Sequence, residues 1–519
     1  MRWMQLAECR EQLVLFPTKL DDLISPDHTV RIIDSLLGRL DWQPLEATYH
    51  PRLGQPPIHP RILCGVIIYG LLCRIRSSRK LEEALVVRVD FRWLAHGLSI
   101  DHTTISEFRR KHPEELRNLF VQIVLIGQEM GLVEFKRIGF DGTRIRSNNR
   151  KSGTRTPEQL RKLKQELQEQ FDRLSEKADA EDVQDEEAFG DQSDSSGDDG
   201  ESQRRKLEQA QATVDAALAE LEKIDDSPET TPSRLPITDP ESRFSKTKEG
   251  SFAPSYTPTA TVDIDSGMIV DEDVIPQSNE SGELTETIQQ VQSDYDLSGP
   301  VGEVLADGLM ATGENCAACE AMGVDLISPV RGAHQGENPA VRDDLRQPVA
   351  AEMLDALPVK TIDKQTRFDK QAFVYAPDSN TYWCPSGKPL EHSSRYTTTS
   401  AGKQLTRDRY RASKQDCGSC TLAPRCLRGK TKFRQIDRGE HEDAIDRQVE
   451  KMNRPESAKR YSARRSAGER PFAVIKQVFG ARQFLTRGLS SVRQEWRWLS
   501  IAFDLNVLVG HVRLKGQPP

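Results

Sequence analysis

Two short apolar runs that each end in Asp-Gly constrain this chain more than any other feature. Ile138, Gly139 and Phe140 lead into Asp141-Gly142, and residues 301–306 lead into Asp307-Gly308. Each run has the length and composition of a buried strand. An acid at the carboxyl mouth of such a strand, followed by glycine, is where α/β sheets place ligand and metal groups. Asp-Gly is equally a turn signal, so each site taken alone has two readings.

A third acid narrows the choice. Glu469 sits in RSAGERPFAVIK, residues 465–476. On a continuous helix Arg465, Glu469, Ala473 and Lys476 share one face, at i, i+4, i+8 and i+11. Phe472, Val474, Ile475 and Phe479 supply apolar packing around it. A carboxylate between two cations suits a divalent metal beside DNA phosphates. An ordinary exposed helix with an Arg–Glu pair fits the same residues. The order strand acid, strand acid, helix acid is harder to produce by accident.

With these residues in place, the chain resembles bacterial insertion-sequence transposases of the DDE type. The third acid resembles that of the branch with a Y-R-E-K signature: Tyr, two residues, Arg, three residues, Glu, six residues, Lys. Arg465, Glu469 and Lys476 match that register. Tyr461 lies one residue early, and Ser462 stands in its place. The aromatic residue usual after the second Asp is absent, since the chain reads Asp307-Gly308-Leu309-Met310. The resemblance extends to about residue 510. It implies an α/β RNase H-like catalytic core in which Asp141, Asp307 and Glu469 hold Mg²⁺ or Mn²⁺. It also implies double-stranded DNA as partner and a homo-oligomer assembled on paired element ends. The implied reaction is hydrolysis at those ends followed by strand transfer. Two other classes stay open: a non-catalytic DNA-binding regulator, and an RNase H-like nuclease that cuts without joining.

Charge must permit such a partner. The formal charge of −8 argues against DNA at first sight. Yet residues 179–201 hold 11 acids and no Lys or Arg, so the rest of the chain carries +3. Residues 403–470 hold 19 Lys or Arg against 10 Asp or Glu, a local +9. The local field decides whether a phosphate backbone docks. No apolar run reaches the roughly 18 residues of a membrane span, and the first residues lack a secretory layout. A bacterial cytoplasmic, nucleoid-associated protein is the expectation.

Along the chain, residues 1–130 read as an all-α N-terminal domain. Helical patterns over 62–78, 78–97 and 101–123 are joined by short turns, and Asp101 is the N-cap of the last. A helix-turn-helix-like DNA-binding unit and a plain helical bundle with a basic surface both fit. By the resemblance, Thr103, Thr104, Arg109, Arg110 and Lys111 are the candidates for DNA contact. Residues 131–156 open the core. Residues 157–256 read as a helical-hairpin insertion with a disordered acidic tip at 179–201 and a Pro- and Ser-rich linker at 226–256. The hairpin is either a dimerisation arm or a solvated insertion. Residues 257–330 resume the core, with a strand hairpin turning at Ser266-Gly267. Asp263, Asp265, Asp271 and Asp273 read as surface alternation rather than ligands. Residues 331–460 form a basic insertion, and residues 461–519 supply the closing core helices.

The insertion contains Cys384, then Cys417, Cys420 and Cys426 in CGSCTLAPRC. Four thiols with one CxxC pair fit a tetrahedral structural Zn²⁺ site; free thiols in a loop fit as well. Such a zinc would stabilise an insertion with little core, with His392 and His441 as substitute ligands. Cys316 and Cys319 lie in an apolar helical pattern and read as packing.

Overall fold

In the computed structural model, residues 19–50, 56–150, 153–189, 198–224, 234–246, 252–277, 279–334, 336–362, 365–400 and 403–515 are described. The side chains of residues 175–201, 203, 362, 400, 403 and 465–467 are not among them.

The centre of the molecule is a seven-stranded sheet. Its main strands are β1 (Arg137–Gly142), β2 (Phe252–Asp263), β3 (Ile269–Ile275), β4 (Glu303–Ala306) and β5 (Asp325–Ile327). They lie in the order β3-β2-β1-β4-β5, and two short strands, Ile145–Arg146 and Arg243–Lys246, extend β2. The pairs β1/β2 and β2/β3 are antiparallel, whereas β1/β4 and β4/β5 are parallel. Strand β2 begins at Phe252, and Leu235–Pro236 and Arg243–Lys246 are themselves strands. This corrects the expectation of a linker reaching residue 256. Pro254 does not prevent pairing, because its carbonyl still accepts, from the Ser147 N–H at 3.0 Å.

The N-terminal helices are α1 (Thr29–Leu37), α2 (Pro60–Leu72), α3 (Ser78–Val87), α4 (Val89–Leu94), α5 (His102–Arg110) and α6 (Pro113–Glu129). Helix α2 is apolar on nearly all sides and is buried from Leu63 to Leu71. Helix α5 starts where its cap dictates: the Asp101 carboxylate accepts from the N–H groups of Thr103 (2.8 Å) and Thr104 (2.9 Å).

The hairpin insertion comprises α7 (Pro157–Phe189) and α8 (Asp198–Ile224). The helices run antiparallel, as the pairs Lys164–Asp215 (2.8 Å) and Gln168–Gln211 (3.3 Å) require. Residues 179–189 of the acidic stretch are helical, not disordered, because they continue α7 without a break. Residues 190–197 lie outside the described residues.

Helix α9 (Leu284–Asp294) follows β3, and α10 (Gly313–Ala321) links β4 to β5. The basic insertion forms a second sheet, an antiparallel meander of β6 (Val374–Ala376), β7 (Thr381–Trp383), β8 (Pro389–Ser400), β9 (Lys403–Ala412) and β10 (Gln435–Gly439). It has a core of its own, with Leu357, Phe368, Phe373, Tyr382, Leu390, Tyr410 and Ile436 buried. The expectation of an insertion with little core is corrected accordingly. Helices α11 (Glu442–Met452), α12 (Pro455–Gly468) and α13 (Leu489–Lys515) complete the chain.

Helix α13 ties the parts together. Trp496, Phe503 and Leu505 on it are fully buried, and it packs on α1, α2, α6 and β3. Buried ions reinforce this junction. Arg117 of α6 meets Asp271 (2.7 Å), Glu272 (3.6 Å) and Asp294, while Arg497 of α13 meets Glu272 at 2.6 Å. Burial pushes the Glu272 carboxyl up to about 6, against the pull of both arginines. Asp263 is fully buried and accepts from the N–H of Phe135 (3.1 Å) and of Ser266 (2.8 Å). Asp263 and Asp271 are therefore internal fasteners rather than surface alternation. Asp265 and Asp273 pair with Arg137 and Arg493.

Replacing Arg117 by Met leaves Asp271 and Glu272 buried with less compensation, at a cost of about 3–5 kcal/mol in urea unfolding at neutral pH. Because the folded Glu272 carboxyl is held above its ordinary value, the charged form is what destabilises. The deficit is therefore largest above pH 6 and shrinks as Glu272 takes up its proton below it.

Candidate active site

The parallel register of β1 and β4 places two carboxylates side by side. Phe140 pairs with Ala306, so Asp141 and Asp307 are the next residues on neighbouring strands. Adjacent strands lie about 4.8 Å apart. Asp141 receives the N–H of Gly142 at 2.9 Å. Asp307 both ends a strand and opens a turn: its carboxylate accepts from the N–H of Leu309 (2.8 Å) and its carbonyl from the hydroxyl of the buried Ser328 (2.7 Å).

Helix α12 packs across β1, β2, β4 and β5 and brings a cation to the pair. Arg464 Nη2 lies 3.0 Å from Asp141 Oδ2 and 3.8 Å from Asp307 Oδ2. The Arg464 and Asp141 side chains are 12% and 16% exposed, whereas Asp307 is 45% exposed and opens the site to solvent. Arg464 Nε is buried without a hydrogen-bond partner. Burial pushes the Asp141 carboxyl up, and Arg464 pulls it back only in part. Tyr461, one helical turn before Arg464, meets the same guanidinium, and burial raises its phenol. Tyr461 and Arg464 thus keep the signature's Tyr–Arg spacing. The departure from register falls between Arg464 and Glu469, which have four residues between them instead of three.

Glu469 does not sit on a continuous helical face. Helix α12 ends at Gly468, and Glu469 is an exposed residue between it and the short helix Arg470–Ala473. Two residues cause the break. Gly468 is a poor helix former, and Pro471 has no N–H and its ring excludes the carbonyl four residues back. The next turn, Val474–Val478, is π-helical, with the Phe479 N–H donating to Val474 O at 3.1 Å. Such turns widen the helix and cluster at functional sites. Lys476 rides on this turn and donates to Thr143 Oγ1 and to Arg144 O (2.9 Å), directly after β1. The Arg465 side chain lies outside the described ones.

A carboxylate unremarked in the sequence stands at the pair. Glu280, between β3 and α9, lies over the backbone after Asp141: a Cβ on Gly142 would meet its Oε1 at 3.2 Å. Burial raises the Glu280 carboxyl, and the charges of Asp141 and Asp307 raise it further. Only the fold brings this loop to the strand ends. Among the described residues, no group of three or more His, Cys, Asp or Glu side chains already stands as a metal-ligand set.

The N-terminal candidates divide. Thr103 and Arg110 are exposed, as is Lys111, which pairs with Glu107 at 2.9 Å. Thr104 gives its hydroxyl to Asp101 at 2.7 Å. Arg109 turns inward, donates to the Arg76 carbonyl, and has its guanidinium pushed down to about 10 by burial. It follows Ile105 by four residues, which turns its guanidinium toward the Arg76 backbone rather than to solvent.

In the insertion, Cys384, Cys417, Cys420 and Cys426 line one small cavity. His392 pairs instead with Asp408 (2.9 Å), and His441 packs against Gly313, so neither substitutes there. Cys316 and Cys319 are buried in α10 with both thiols pushed up to about 11.

Removing the Arg464 cation by Arg464→Ala raises the Asp141 carboxyl further. A raised folded value penalises the charged form, so the variant loses more stability at pH 8 than at pH 5 in urea unfolding. An equal loss at both values would show that Arg464 serves packing alone.

Comparison with known proteins gives two matches. Residues 18–111 match the family described as Transposase domain (DUF772), and residues 383–509 match the Transposase DDE domain. No curated protein matches the chain. The first match covers α1 to α5, and the second spans Cys384, Cys417, Cys420, Cys426, Arg464, Glu469 and most of α13. Among the described residues no helix is long and apolar enough to cross a membrane.

Proposed function

Because this chain is an insertion-sequence transposase of the DDE type, on its two matched domains, we propose that it cuts DNA at the ends of its element and joins them to target DNA, with Asp141 and Asp307 at the catalytic centre. The observation that carries this reading is the side-by-side placement of the two carboxylates with a guanidinium between them. The strand order, three antiparallel strands and then two parallel ones, supports an RNase H-like core.

A divalent cation fits the donors present. They are hard carboxylate oxygens, and Arg464 already occupies a place where positive charge is stabilised. Asp141 and Asp307 would hold Mg²⁺ or Mn²⁺ with a third carboxylate, Glu469 or Glu280. Two such ions supply an activated oxygen nucleophile and neutralise the leaving oxygen. With such a cation held there, Arg464, which now pairs with both aspartates, would be free to meet a DNA phosphate. Lys476, anchored by Thr143 and Arg144, presents an ammonium at the rim for the phosphate beside the cut. Arg465 serves the same strand, while Thr103, Arg110 and Lys111 give the N-terminal helices a face for the element end.

In the first step water attacks the phosphorus and the bond to the 3′ oxygen breaks, leaving a free 3′-OH. In the second, that 3′-OH attacks a target phosphodiester and releases a target 3′-OH, so one ester replaces another. Paired ends call for a homo-oligomer on the DNA.

Single-turnover assays on DNA carrying the element ends, with Mg²⁺, test this. Asp141→Asn and Asp307→Asn lose cleavage by roughly 10³-fold, the scale of a lost electrostatic centre, with gel-shift affinity retained. Glu469→Gln and Glu280→Gln, assayed in parallel, identify the third carboxylate by which loss matches. Cleavage retained in Asp141→Asn overturns the assignment, and cleavage without joining of a supplied 3′-OH end makes the protein a nuclease.

A further inference from the structure

The four cysteines of the insertion lie at the root of its longest feature, the β8–β9 hairpin. Cys384 precedes β8 (Pro389–Ser400). Cys417 and Cys426 follow β9 (Lys403–Ala412) on two short helical turns, Lys414–Gly418 and Ala423–Cys426, and Cys420 lies between the turns. We propose that Cys384, Cys417, Cys420 and Cys426 bind one structural Zn²⁺ that clamps the two strands of this hairpin together at its base.

The turn at Cys384 is built around a sulfur acceptor. The chain reverses through Cys384-Pro385-Ser386-Gly387-Lys388, with the Gly387 N–H donating to Cys384 O at 2.9 Å and the Cys384 N–H to Lys388 O at 3.0 Å. The Lys388 N–H then points at Cys384 Sγ, 3.3 Å away, and the Ser386 N–H adds a second bond to it. Two backbone N–H groups converging on one sulfur fix its position at the foot of β8. Gly387 makes the turn possible: its φ is +72°, and a Cβ there would lie 2.1 Å from Arg346 O. Ser386 Oγ also approaches Cys420 Sγ at 3.2 Å, joining the two halves of the site across 34 residues.

The surroundings suit a closed zinc site. All four cysteines are free, and together they line a cavity of about 30 Å³ walled by Phe368, Phe373 and Leu390. Arg434, stacked on Phe373 and donating to Cys426 O at 3.2 Å, brings a cation beside Cys426. The sulfurs do not stand as a closed ligand set, and a bound zinc would require them to close across the cavity they line. Four thiolates leave no open position. This zinc is therefore structural, and its presence is independent of the catalytic reading.

Metal analysis of the full-length protein from zinc-supplemented culture tests the proposal. About one zinc per chain is expected, falling below about a tenth in the Cys417→Ser/Cys420→Ser variant and staying at one in Asp141→Asn. Wild type refolded with Co²⁺ should show sulfur-to-cobalt charge transfer and tetrahedral d–d bands, a readout that needs no variant to fold. Chelator treatment should lower the melting temperature of wild type and leave Asp141→Asn similarly sensitive. Wild type that retains less than about a tenth of a zinc and gives no thiolate–cobalt absorption overturns the site. Zinc content unchanged in the double variant overturns it too, since the metal would then sit elsewhere.

Discussion

Two carboxylates on neighbouring parallel strands, one of them largely buried, repel each other, and the rest of the centre is organised around that repulsion. The register Phe140–Ala306 fixes the separation, so the charges cannot drift apart without breaking the sheet. Burial raises the cost of ionising Asp141. A positive partner is then needed, and α12 supplies one in Arg464. A site that must recruit a cation from its own protein is also disposed to accept one from solution, and the same geometry serves both states.

The scaffold makes that geometry stiff. Helix α12 is pinned to the sheet by Arg460, which reaches Glu303 at 2.9 Å and also pairs with Asp325. Both acids lie at the opposite ends of β4 and β5 from Asp307, so α12 is held along its length. Helix α13 and the Arg117–Glu272–Arg497 network lock the N-terminal helices to β3. The N-terminal helices and the acidic pair therefore belong to one packed body, joined through a core rather than through a linker.

Much of this was legible in the residues. Apolar runs ending in Asp-Gly located β1 and β4, and the Ser266-Gly267 turn separated β2 from β3, because strand burial leaves a direct mark on composition. The break at Glu469 was also written there: Pro471 is incompatible with a continuous helix over 465–476, yet the spacing of Arg465, Glu469 and Lys476 on an ideal helix hid it. Arg109 carried its signal too, four residues from Ile105. Glu280 and the Arg464 contact were not legible, since a loop after β3 and a side chain of α12 reach Asp141 only through tertiary packing. The core of the insertion was missed because its buried aromatics, Phe368, Phe373, Tyr382 and Tyr410, are scattered among basic residues over more than 40 positions.

The most direct test of the central claim is to let a bound metal mark its own surroundings. Fe²⁺ in place of Mg²⁺, with ascorbate and peroxide, cleaves the protein backbone where it is held, and the fragments can be sized and sequenced. The account predicts cuts at Asp141 and Asp307, a third near Glu469 or Glu280, and suppression of all of them by excess Mg²⁺. Cleavage that spares both strand ends would contradict it.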